Sequence, residues 1–258
     1  ANQDMRWSYN ERRYKKLLQY HPGGLLLYLY GNSGQVEHLF DLFRKVFEAI
    51  AEQGVNAEER GYLSGIVRRV DEQYYTDEWA KCCLLLYKKE LLQKPPLCLQ
   101  RLFFRHPDKM KMFLEENPSR SFDVENDYYL PEEAYQDKRA FDCWAECLYE
   151  EFPEILGYIM GKSCNGKDGA FPHEFIREFL EKQQNEKLTK AVFYGKFNSR
   201  GARIVQDGRT LYEQAKCYRA QARELRLKFP QSAKILLQLA KWMESEAQHD
   251  QLEAEIVP

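Results

Sequence analysis

The sequence predicts an all-α protein, an irregular multi-helix array of about ten helices that ends in an antiparallel helical hairpin. Three observations carry that expectation. Apolar residues recur at steps of three and four through nearly every segment, as one face of a helix requires. Proline and glycine punctuate those segments, at Pro22-Gly23-Gly24, Pro95-Pro96, Pro107, Pro153 and Pro230. The one strand-like run, Leu25–Tyr30, has no second strand to pair with and is read as a buried helix.

In chain order, Trp7–Gln19 predicts a first helix with Trp7, Tyr14, Leu17 and Leu18 inward and Arg12, Arg13 and Lys16 outward. Gly34–Gln53 follows, its face formed by Val36, Leu39, Phe40, Phe43, Phe47 and Ile50. Ala57–Tyr75 is the next, and Thr76 is the expected N-cap of Asp77–Gln93, whose first turn carries acids. Lys94-Pro95-Pro96 stops that helix, and shorter ones are expected at Leu97–Arg105 and Pro107–Glu116. The polar, acidic stretch Asn117–Leu130 reads as a linker and divides the chain into two helical subdomains, residues 1–120 and 121–258. Helices are then expected at Pro131–Phe152, Pro153–Met160 and Pro172–Lys190, with a loop at Gly161–Gly169 and irregular chain over Val192–Asp207.

The terminal hairpin has the clearest pattern. Its first helix places Leu211, Ala215, Tyr218, Ala222, Leu225 and Phe229 on one stripe; its second aligns Ala233, Leu236, Ala240, Met243 and Ala247. The small alanines permit close approach, and Pro230 suits a first helical turn, where no N–H is needed.

The chain has 258 residues, 44% hydrophobic and 14% aromatic, ample for a packed core. Charged residues reach 30%, yet the formal net charge is only -2, which argues against a protein that coats DNA with a broad basic face. Seven cysteines without framework spacing point to reduced thiols and a cytoplasmic setting. No apolar run approaches the roughly 20 residues of a membrane span, and no signal-peptide pattern opens the chain.

Motifs with chemistry are few. Gly31-Asn32-Ser33-Gly34 lacks the Lys-Ser or Lys-Thr pair of a phosphate loop and reads as a turn. Gly161–Gly169 fails as a calcium loop, because Lys167 falls on a ligand position and Asp168 where glycine is needed. Asp123, Glu125 and Asp127 lack further cation ligands, and Cys143 with Cys147 lacks a second zinc pair. The five histidines form no recognisable triad, so no metal, cofactor or catalytic set is predicted. The most suggestive stretch is Tyr194–Arg203. There Lys196, Arg200 and Arg203 stand beside aromatics and glycines, a pattern suited to an anion or a nucleic-acid backbone.

Two blocks, Lys167-Asp168-Gly169-Ala170-Phe171-Pro172 and Asn198-Ser199-Arg200-Gly201, carry a resemblance. With Tyr218, Ala222, Phe229-Pro230, Ala233, Leu236, Ala240 and Glu246-Ala247, residues 157–257 resemble an uncharacterised helical C-terminal module of large bacterial multidomain proteins. The resemblance implies a bacterial cytoplasmic origin and a place inside a longer polypeptide; it implies no catalytic residue. The expected function is a non-catalytic scaffold or protein-interaction domain, its partners other protein domains and no membrane. The alternatives are a nucleic-acid or phosphate-binding accessory domain and an enzyme whose site assembles from remote residues.

Overall fold

Leu25–Tyr30 is helical: a short 3-10 turn, Pro22–Leu25, runs into helix α1 (Leu26–Gly31). A computed structural model describes residues 16–199 and 209–256, and no strand occurs among the described residues. The chain divides into two compact units, Ala1–Leu102 and Phe103–Pro258. The division falls at Leu102 and not at residue 120. The reason is that the expected linker folds: it forms helix α7 (Ser121–Asp127), which buries Val124 and leads into buried Tyr128.

In the first unit, α2 (Val36–Gln53), α3 (Ala57–Asp71) and α4 (Asp77–Lys88) follow α1, and α5 (Leu97–Arg105) begins. A reciprocal capping box starts α3: Glu59 N donates to Asn56 Oδ1 while Asn56 N donates to Glu59 Oε2, each at 2.9 Å. Thr76 caps α4 as expected, accepting from Trp79 N at 3.1 Å. Phe43, Phe47 and Trp79 are fully buried and meet at ring-centroid distances of 5.5–6.2 Å, an aromatic centre between α2 and α4. Asp71, the last residue of α3, joins the other elements. Trp79 Nε1 donates to its Oδ1 at 2.9 Å, and Cys98 N, in the first turn of α5, donates to its Oδ2 at 3.2 Å. A buried carboxylate thus caps a helix from a distant part of the chain.

The second unit contains α6 (Pro107–Glu116), α7, α8 (Lys138–Tyr149), α9 (Pro153–Gly161), α10 (Glu174–Gln183), α11 (Glu186–Asn198), α12 (Arg209–Leu225) and α13 (Pro230–Ile256). Two expected helices are broken. Pro131–Phe152 starts with a 3-10 turn, and α8 begins only after Asp137, whose carboxylate accepts from Arg139 N and Ala140 N. Pro172–Lys190 is two helices, because Gln184 turns left-handed at φ 47° and Asn185 caps a new start by accepting from Leu188 N. Helix α11 also continues to Asn198, through part of the stretch expected to be irregular.

Helices α9 and α11 touch backbone to backbone. A Cβ on Gly157 would strike the Ala191 Cβ and the Leu188 carbonyl, one on Gly161 the Val192 carbonyl, and one on Gly195 the Tyr158 carbonyl. Helices α12 and α13 return on each other, packing Leu211 and Ala215 with Ala240, Met243 and Ala247. Arg219 closes the pair from outside, donating from Nε and Nη2 to Glu244 at 2.7 and 2.6 Å. No helix among the described residues is long and apolar enough to cross a membrane.

Two substitutions test this packing. Gly195→Ala meets rigid backbone and is expected to destabilise the protein by about 1–3 kcal/mol. Leu236→Ala, at a fully buried position, is expected to cost about 2–5 kcal/mol. Arg219→Ala, at the surface, should shift the urea midpoint far less than either. Equal midpoints for Gly195→Ala and wild type would show that α9 and α11 can separate without cost.

Candidate functional site

Helices α11 and α13 border an open groove of about 890 Å³. Its chemistry follows from two helical stripes. On α11, Glu186, Lys190, Phe193 and Tyr194 share a face; on α13, Gln231, Lys234, Gln238, Lys241 and Trp242 do. Lys190, Lys234 and Lys241 are exposed, and no carboxylate pairs with them among the described residues. Lys234 Nζ instead donates to Gln231 Oε1 at 3.4 Å, and Lys190 Nζ stands 5.9 Å from the Tyr194 ring centroid. Trp242 is half-buried and held edge-on against Phe197 at 4.4 Å, while Tyr194 remains 39% exposed, enough ring to accept a stacking partner. Lys234 and Lys241 are seven residues apart, about 10 Å along the helix axis. The groove therefore offers spaced cations, amide side chains and aromatic surface, with Glu186 the one acid among its described lining residues.

The residues read from the sequence as a site lie elsewhere. Lys196 sits on α11 but points to the loop before α10, its Nζ 4.4 Å from the Phe171 ring centroid. Arg200 and Arg203 lie outside the described residues, as does most of Trp7–Gln19 with Arg12 and Arg13. Asp123, Glu125 and Asp127 fall on α7, and the Glu125 carbonyl accepts from Lys162 Nζ at 2.5 Å. Cys143 is exposed and not a core residue.

The Gly161–Gly169 loop is organised by an ion pair and not by a cation site. Arg177, fully buried on α10, donates from Nη1 and Nη2 to Asp168 at 2.7 and 2.8 Å. That guanidinium holds the Asp168 carboxyl below the usual carboxylate range. Lys167 N donates to Glu174 at 3.2 Å, and buried His173 packs between the rings of Tyr135 and Phe175. At the far end of α10, Glu181 accepts from Gln231 N at 2.7 Å and so anchors the start of α13 beside the groove.

Sequence reasoning misses the groove lysines because each alone is an ordinary exposed residue. The signal that finds them is periodic: lysine, aromatic and glutamine recur at helical spacing on two segments that the fold brings together. Comparison of the chain with protein-family models, with curated proteins and with solved structures returns no match. The groove is thus read from its own chemistry.

One titratable group here has a measurable signature. Burial lowers Lys162 to about 7, with Asp127 and Glu125 opposing the shift. Below that value the folded and unfolded chains both carry the ammonium, and folding bears its desolvation. Between about 7 and the ordinary lysine value of 10.5 the unfolded chain binds more protons, so this residue makes stability rise with pH. Lys162→Met removes that contribution. Its melting temperature relative to wild type should be highest near pH 6 and fall steadily towards pH 10; a constant difference would exclude a desolvated lysine.

Proposed function

We propose that the chain is a non-catalytic accessory module of a larger bacterial protein, working in the cytoplasm, and that it binds single-stranded nucleic acid along the α11–α13 groove. The observation that carries this reading is the convergence of Lys190, Lys234 and Lys241, without carboxylate partners among the described residues, on a groove walled by Phe193, Tyr194 and Trp242. Lysines neutralise backbone phosphates and release counterions, while aromatic faces accept unpaired bases of any sequence.

A protein-interaction role has separate support in the first unit. Tyr20, Leu27 and Tyr28 are 73%, 59% and 39% exposed within a short stretch of chain, large apolar side chains of the kind that a partner covers. That reading keeps the expectation of other protein domains as partners.

Fluorescence anisotropy with a labelled single-stranded oligonucleotide decides between them. Wild type should bind at low salt, with affinity falling linearly in log salt. Replacing Lys190, Lys234 and Lys241 by Ala should weaken binding at least tenfold and reduce the slope by about 2, at roughly 0.7 per lysine. Trp242→Ala should lose about 1–3 kcal/mol of stacking with little change in slope. Absence of wild-type binding at low salt, or an unaffected triple variant, would overturn the nucleic-acid reading.

A further inference from the structure

Asp71, Cys83 and Cys98 lie in the first unit and take no part in the groove. A carboxylate oxygen of Asp71 and the Sγ atoms of both cysteines are within 4.8 Å of one another, and all three residues are buried. A tetrahedral centre with metal–sulfur bonds of about 2.3 Å and metal–oxygen bonds of about 2.0 Å separates its ligand atoms by about 3.3–3.8 Å. The 4.8 Å bound admits those separations.

The surroundings resemble those of a ligand set already oriented. Trp79 Nε1 and Cys98 N both donate to the Asp71 carboxylate and fix its plane, as outer partners do for metal-bound carboxylates. The Cys98 Sγ lies within 4.8 Å of both an Asp71 carboxylate oxygen and the Cys83 Sγ, so the protons that a cation would displace are held inside the cluster. Asp71 also faces a cavity of about 510 Å³, lined by Leu97, Arg68 and Lys94 among others. That cavity reaches the cluster at Asp71, while Cys83 and Cys98 are not among its described lining residues, so an entering cation would meet the carboxylate first. Two thiolates and a carboxylate around a divalent cation leave one net negative charge, and the cavity wall carries Arg68 and Lys94 together with Glu72. Capping α5 requires only the carboxylate; it does not require two thiols beside it.

We propose that Asp71, Cys83 and Cys98 form a binding site for one zinc-class divalent cation, with the fourth position open to the cavity. Binding is a proton exchange without redox change: two S–H bonds break, two metal–sulfur bonds and one metal–oxygen bond form, and two protons leave for solvent.

The test uses the full chain, reduced and oxygen-free, with Cys143, Cys147, Cys164 and Cys217 replaced by Ser to remove the more accessible thiols. Titration with Co(II) should saturate at one equivalent, with thiolate-to-cobalt charge-transfer absorption and the intense visible bands of tetrahedral cobalt. Zn(II) should abolish both signals, release two protons per chain in weak buffer, and raise the melting temperature. Cys83→Ala and Cys98→Ala should each lose the charge-transfer signal while keeping the helical circular dichroism spectrum. Should either variant fail to fold, X-ray absorption of the Zn(II)-loaded parent serves instead, with two sulfur scatterers at about 2.3 Å expected. A folded parent with no charge-transfer absorption overturns the site, as does a signal that survives Cys98→Ala, or a zinc shell without sulfur.

Discussion

The second unit depends on the close contact of α9 with α11. Glycine at 157, 161 and 195 and alanine at 191 let two backbones meet where any larger side chain would strike a carbonyl of the facing helix. The contact also sets rotation. Ala191 and Gly195 form one row on α11, while Lys190 and Tyr194 form the next, displaced by one residue and hence about 100° around the axis. Fixing the small row against α9 therefore turns the lysine–aromatic row sideways, towards α13. Packing and presentation are two consequences of one helical register.

Helix α13 must be held just as firmly for a groove to persist, and the loop before α10 accomplishes this through charge. Arg177 is buried beside Asp168 and packs its guanidinium over Phe229, the residue preceding α13. One turn further along α10, Glu181 receives the first free amides of α13. Both contacts place a charge where a helix end or a ring can use it. The Asp-Gly-Ala-Phe-Pro block, the most distinctive motif in the sequence, thus has an architectural purpose: it sets the start of the groove's second wall.

Much of the helical order is legible in the sequence because local chemistry fixes it. Pro107, Pro153 and Pro230 open helices where a missing N–H costs nothing, and Thr76 supplies its own cap. What escapes a linear reading is decided by tertiary contact. The break at Gln184–Asn185 has no proline or glycine to announce it, and a helical pattern continues across it. Segment 117–130 looks like a linker because its acids are conspicuous, yet buried Val124 and Tyr128 anchor it. The site behaves the same way. Lys196 stands out in sequence beside its aromatics and glycines, but its helical position turns it to Phe171. Lys234 and Lys241 are inconspicuous until α13 is laid against α11, and Asp71, Cys83 and Cys98 belong to three helices whose meeting no spacing rule encodes.

A net charge of -2 does not weigh against anion binding at such a groove. At physiological ionic strength a surface charge is felt over about 8 Å, so acids elsewhere on the chain are screened from a ligand lying between α11 and α13. What that ligand meets is the local set, three lysines against Glu186. Several of the acids are paired with other cations: Asp41 with Arg44 and Lys45, Asp142 with Lys138, Glu151 with Lys111, Glu244 with Arg219. Each pair contributes little to stability at the surface, but each also removes a carboxylate from competition for the groove lysines. A chain with near-neutral composition can therefore carry a locally cationic surface, provided that its carboxylates are paired elsewhere and its helical register keeps the unpaired lysines on one face.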